Sequence, residues 1–133
     1  MFADTDFLLA LTKESDWLKK NALRILKEHK GEIRTSVSVM IEIALLCKKF
    51  KINTIKVFTN LFELIEVNEE TYSTCMQASV YIEKYNLNVF DAFHAAFCSN
   101  DKIISSDSVF DSIGLKRLKL KLPHNPLLLE TII

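Results

Sequence analysis

Both prolines of the chain, Pro123 and Pro126, lie near its C-terminus, so nothing earlier removes a backbone donor and breaks a helix. The chain is free to alternate helices with short apolar segments. Its pattern predicts a strand at Met1–Ala3, a helix over about Thr5 to Leu11, and a second helix from Asp16 to His29 closed at Lys30-Gly31. That second helix carries an imperfect apolar stripe (Trp17, Leu18, Leu23, Ile25, Leu26) and a basic face (Lys19, Lys20, Arg24, Lys27). Glu32–Thr35 follows as a strand. A helix capped by Ser36 or Ser38 runs to about Lys49, and a short helix spans Asn53 to Phe62. Then come a strand at Ile65–Val67, a helix over Asn68 to Tyr85, and a helix over Val89 to Ser99 capped by Asn88. The strand candidates Lys102–Ser105 and Leu115–Leu120 complete the pattern. Short strands alternating with helices predict an α/β domain with a mostly parallel sheet and helices on both faces.

Composition bounds the class. The 133 residues fit a single domain, 1–133, and 49% hydrophobic residues supply a sizeable core. With Gly31 and Gly114 the only glycines, there is no phosphate-cradling Walker A loop and no dinucleotide fingerprint. No apolar run approaches the length of a membrane span. The first residues carry Asp4 and Asp6 and no basic region, so a secretory signal is not expected. Cys47, Cys75 and Cys98 are scattered, without CxxC spacing, and read as small buried hydrophobes of a reducing cytoplasm. Seventeen basic and seventeen acidic residues cancel, which argues against a broad electrostatic grip on nucleic acid but not against a local patch.

The acids hold the chemistry. Asp4 follows the first apolar segment and Asp107 follows Lys102–Ser105, the strand-end positions where ligands bind in open α/β sheets. Each also reads as a helix cap. Glu42 lies in Ser38-Val39-Met40-Ile41-Glu42-Ile43-Ala44-Leu45-Leu46, apolar nearly all round. Burial there would require a cationic or metal partner. Asp91 sits three residues after Asn88, as in a capping box, and beside the small Ala92, Ala95 and Ala96. Phe90, Phe93 and Phe97 read as a core stripe, and His94 as a structural histidine. Four carboxylates brought together repel one another, and a hard oxygen-seeking cation, Mg2+ or Mn2+, relieves that repulsion. Such a site suits the activation of water and in-line attack on a phosphodiester.

Four pieces in order resemble a PIN domain, most closely the compact VapC-type toxin ribonucleases. They are Asp4-Thr5-Asp6-Phe7-Leu8-Leu9, Ser36-Val37-Ser38 through Glu42-Ile43, Asp91-Ala92-Phe93-His94-Ala95-Ala96, and Ile103-Ile104-Ser105-Ser106-Asp107 with Phe110. The resemblance implies a three-layer α/β/α fold on a central, mostly parallel sheet, and metal-dependent cleavage of RNA. By position, Asp4, Glu42, Asp91 and Asp107 would form the acidic, metal-holding site. Thr5, Asp6, Ser105 and Asp111 would support it. The resemblance also implies a homodimer and an inhibitory antitoxin protein. Three features depart from the family's pattern: the short first segment, the scarcity of glycine, and the tail from Leu115 to Ile133.

Two other readings stand beside this one. The first is a catalytically weak domain of the same fold that binds RNA or protein. The second is a haloacid-dehalogenase-like phosphatase, on the strength of Asp4-Thr5-Asp6, although the midchain Glu42 suits it poorly. The basic cluster Lys116, Arg117, Lys119, Lys121 and His124 reads either as a phosphate-tracking surface or as a lysine-protected edge strand. Leu127–Leu129 with Ile132 and Ile133 make an apolar tail suited to docking on the core or on a second subunit.

Overall fold

The structure, a computed structural model, describes residues 1–12 and 17–120. Two compact units divide the chain, Met1–Phe97 and Cys98–Ile133.

The first unit is helical: α1 (Thr5–Thr12), α2 (Trp17–Glu28), α3 (Val37–Lys49), α4 (Thr54–Leu64), α5 (Glu69–Tyr85) and α6 (Val89–Cys98, its last residue at the unit boundary). Local polar residues fix where these helices begin. Side-chain oxygens of Ser36, Asn53, Asn68 and Asn88 accept the backbone N–H three residues on, at 3.4, 3.0, 2.8 and 2.8 Å. Each satisfies a donor that the first helical turn would otherwise leave orphaned. Helix α5 ends at Asn86, which takes the left-handed conformation at φ 55.

Helix α1 packs against α2, α3 and α4, while α5 packs against α3 and α4. Between them lie Leu8, Met40, Ile43, Phe58, Leu61 and Phe93, all essentially excluded from water. The rings of Phe58 and Phe93 meet edge to face with centroids 6.5 Å apart. Cys47 and Cys75 are buried as expected and Cys98 is half-buried. Burial pushes the Cys75 thiol up to about 12, so it stays protonated and behaves as a hydrophobe.

The second unit pairs β1 (Lys102–Ser105) with β2 (Lys116–Lys119) in parallel, in register from Lys102 opposite Lys116 to Ser105 opposite Lys119. A 3-10 helix, Ser108–Ile113, makes the connection and ends at Gly114, whose φ of 82 suits glycine.

Only part of the expected sheet forms among the described residues. Met1–Ala3 and Glu32–Thr35 meet through a single parallel bridge, Phe2 to Arg34, with Ala3 N–H donating to the Arg34 carbonyl and Arg34 N–H to that of Met1. Ile65–Val67 forms no ladder; Ile65 instead closes α4 and is buried there. A strand exists only through its partner's backbone, whereas short apolar runs also serve simply to fill a core. No described helix is long and apolar enough to cross a membrane. Lys121, His124 and the apolar tail lie outside the described residues.

Candidate active site

The geometry begins where α1 starts. Asp4 is exposed, its carbonyl accepts from Leu8 N–H, and its Oδ1 accepts from Thr5 N–H at 2.7 Å. Thr5 is buried, and its hydroxyl donates to Glu42 Oε2 on α3 at 2.6 Å. One threonine thus engages a carboxylate on each side, across 37 residues of sequence. Neither Asp4 nor Glu42 is ion-paired among the described residues.

Glu42 is exposed, contrary to the buried environment its apolar neighbours suggest. Helix α3 buries Val39, Met40, Ile43, Ala44 and Cys47, a single face, and turns Ser38, Glu42, Leu45 and Lys49 to solvent. The run looks apolar all round because Leu45 lies on the wet side, 41% exposed. Glu42 therefore needs no cation to offset burial.

Asp91 is half-buried in the first turn of α6. Its N–H donates to Asn88 Oδ1, and its Oδ2 accepts from Asn88 Nδ2 at 2.7 Å, a reciprocal cap. The phenylalanine stripe of α6 is core only in part. Phe93 is core, but Phe90 and Phe97 are 54% and 55% exposed. The buried residues are Val89, Ala92, Phe93, Ala95 and Ala96, because small alanines permit closer packing than flanking rings. His94 is exposed.

Asp6 accepts from Phe7 N–H at 2.8 Å and faces solvent. In the second unit, Asp107 caps the 3-10 helix, accepting from Val109 N–H at 2.9 Å, while its own N–H donates to Ser105 Oγ at 3.0 Å. Asp111 is held by Arg117 through two bonds, Nε to Oδ1 at 3.0 Å and Nη2 to Oδ2 at 2.9 Å. That pairing keeps its carboxyl below the usual carboxylate range. Arg117 also donates to the Ser105 carbonyl at 3.0 Å, so it is not free for a phosphate. Sequence offers no periodicity that would pair a 3-10 helix with a strand, and this ion pair was not foreseeable from it.

Among the described residues no group of three or more His, Cys, Asp or Glu side chains is arranged to hold a metal ion. The geometry does bring Asp4 and Glu42 to the same threonine. Magnesium retains water and binds through one or two carboxylates together with substrate phosphates. The exposed pair offers hard oxygen donors, and neither carboxylate is ion-paired among the described residues.

The family model for the PIN domain matches residues 1–116. No curated protein and no solved structure matches the chain.

Proposed function

The chain belongs to the PIN-domain family, α/β proteins that are generally nucleases, and from that premise we propose that it is an endoribonuclease dependent on Mg2+ or Mn2+. The observation that carries this reading is the approach of Asp4 and Glu42 on either side of Thr5. The Thr5 hydroxyl fixes Glu42 Oε2 and leaves the other oxygen of that carboxylate open. The Thr5 backbone N–H does the same for Asp4. Both carboxylates face solvent, where an extended RNA strand can reach them. A divalent cation held there by Asp4 and Glu42 would supply positive charge against the phosphodiester and lower the pKa of water.

On the sequence resemblance alone, Asp91 and Asp107 are assigned the same metal-holding role, with Ser105 and Asp6 in support. Asp111 contributes least, because Arg117 already claims its charge. The toxin role, an antitoxin partner and a homodimer are part of the same proposal, resting on the four ordered sequence pieces. The PIN match takes the place of the phosphatase reading of Asp4-Thr5-Asp6.

Cleavage of single-stranded RNA is expected with Mg2+ or Mn2+ and not with a chelator. Asp4→Asn and Glu42→Gln should each reduce it by about a hundredfold or more, since several kcal/mol of charge stabilisation are at stake. Both side chains are exposed, so circular dichroism should be unchanged and melting should fall by no more than about 3–6 °C, since the glutamine oxygen can still accept from Thr5. Wild-type rates in both variants would refute the proposal. A catalytically weak RNA-binding module is the second reading, favoured by the lack of a three-acid group among the described residues. RNA binding with neither cleavage nor Mn2+ binding would establish it.

A further inference from the structure

Helix α3 ends in an uncommon way. Ile52 N–H donates to the Cys47 carbonyl at 2.8 Å and Lys51 N–H to that of Lys48 at 3.4 Å, the two bonds of a Schellman motif. The left-handed residue of that motif is Lys51, at φ 56, where glycine is cheaper. Beside it Phe50 is 63% exposed, with the Lys49 ammonium 5.5 Å from its ring centre. Phe50 and Ile52 border a groove of about 430 Å³ whose other walls are Leu9, Thr12, Leu46, Cys47 and Val57. That volume suits a small planar ligand.

Lysines crowd the chain segment beside this groove, and among the described residues the carboxylate of Glu83 also reaches it. Lys48, Lys49, Lys51 and Lys56 fall in one segment that contains no acid, in a chain whose net charge is zero. Lys48 is occupied, donating to the Leu87 carbonyl at 2.8 Å. Glu83 reaches the segment from α5, but its Oε1 accepts from Thr54 N–H. Lysines in the last turn of α3 complement the helix dipole, which accounts for Lys48 and Lys49. It does not account for Lys51 in the left-handed position. Nor does it account for Lys56, which stands in the first turn of α4, where the dipole disfavours a cation. An isologous contact with a second copy would bring these lysines toward their own equivalents. A polyanion meets no such repulsion.

We propose that the α3–α4 junction holds single-stranded RNA, with an unpaired base against Phe50 in the groove and neighbouring phosphates on Lys49, Lys51 and Lys56. The proposal rests on the ribonuclease reading and deepens it. Glu42 and Lys49 share the exposed stripe of α3 seven residues apart, so the holding site lies roughly 10 Å along the helix from the acids. One strand can occupy both.

The test is fluorescence anisotropy of the full chain with a labelled 12-nucleotide oligouridylate in a chelator, where no cleavage competes. Phe50→Ala should weaken binding roughly 5- to 150-fold, the range for one lost base–aromatic stack. The triple change of Lys49, Lys51 and Lys56 to Ala should lower the slope of log affinity against log salt by about 2. Lys20→Ala and Lys27→Ala, on α2, should change neither. Phe50 is exposed, so the variant folds, and its melting curve checks this. The proposal is overturned if wild type does not bind, or if the Phe50 and triple-lysine variants bind as wild type does. It is also overturned if Phe50→Ala changes the molecular mass in light scattering while leaving RNA affinity intact, which would assign the groove to a second copy. Unchanged binding in these variants alongside cleavage that still needs Asp4 removes only the holding site. Phe50-dependent binding without wild-type cleavage removes only the nuclease reading.

Discussion

Replacing Thr5 by Val removes one hydroxyl and little else. The residue is 8% exposed, and valine has nearly the same shape, so the core around it is preserved. The bond from Thr5 N–H to Asp4 Oδ1 survives, because no side-chain atom of Thr5 takes part. What disappears is the 2.6 Å bond to Glu42. Hydrogen bonds to charged groups contribute about 1.5–3 kcal/mol. Glu42 is exposed and rehydrates when released, which places the loss at or just below the lower end, about 1–1.5 kcal/mol. For a chain of this size that lowers the melting temperature by about 3–6 °C. Urea denaturation followed by circular dichroism supplies the free energies for a double-mutant cycle with Glu42→Ala. The coupling should be about 1 kcal/mol, and Thr5→Ser should recover most of it. In the cleavage assay Thr5→Val should lower kcat with little effect on KM, since Glu42 loses its fixed orientation but the RNA surface is intact. A coupling below about 0.3–0.5 kcal/mol, the scatter of independent sites, would refute the idea that this bond organises the site.

Three further outcomes follow from other contacts. Phe58→Ala should cost about 3–5 kcal/mol in chemical denaturation, since the ring is fully buried against Phe62 and Phe93. Asn88→Ala should destabilise the fold by about 1 kcal/mol through loss of the α6 cap while freeing Asp91 Oδ2, which amide exchange across α6 would register. The Asp111 carboxyl titrates below its unfolded value because Arg117 binds its charged form. Its contribution to stability is therefore present above the unfolded pKa and disappears as pH falls through the lower, folded one. Carbon-detected NMR titration should show this depressed midpoint, and Arg117→Ala should return it to the ordinary carboxylate range.

What the sequence discloses here is mostly local. Ser36, Asn53, Asn68 and Asn88 mark helix starts because a cap involves only the three residues that follow. Lys102–Ser105 was legible as a strand for a similar reason: it is bounded by turn-forming residues. Pairing across the chain was not legible. Nothing in Met1–Ala3 or Ile65–Val67 reveals whether a neighbouring backbone will complete a ladder. The wet side of α3 was hidden because Leu45 and Glu42 share it, and an exposed leucine leaves no mark on the pattern. Thr5 stood out only through the family resemblance; its bond to Glu42 spans α1 and α3, and no spacing rule connects them. The acids themselves were visible, yet the reciprocal grip of Asn88 on Asp91 and the claim of Arg117 on Asp111 show that an acid's position does not determine its partner.

In the proposed site Asp4 and Glu42 hold a hard cation together. Crystals soaked in Mn2+ and measured for anomalous scattering test it most directly. A peak should appear within coordination distance of both carboxylates and be lost in crystals of Asp4→Asn. A peak elsewhere, or an unchanged peak in that variant, would contradict it.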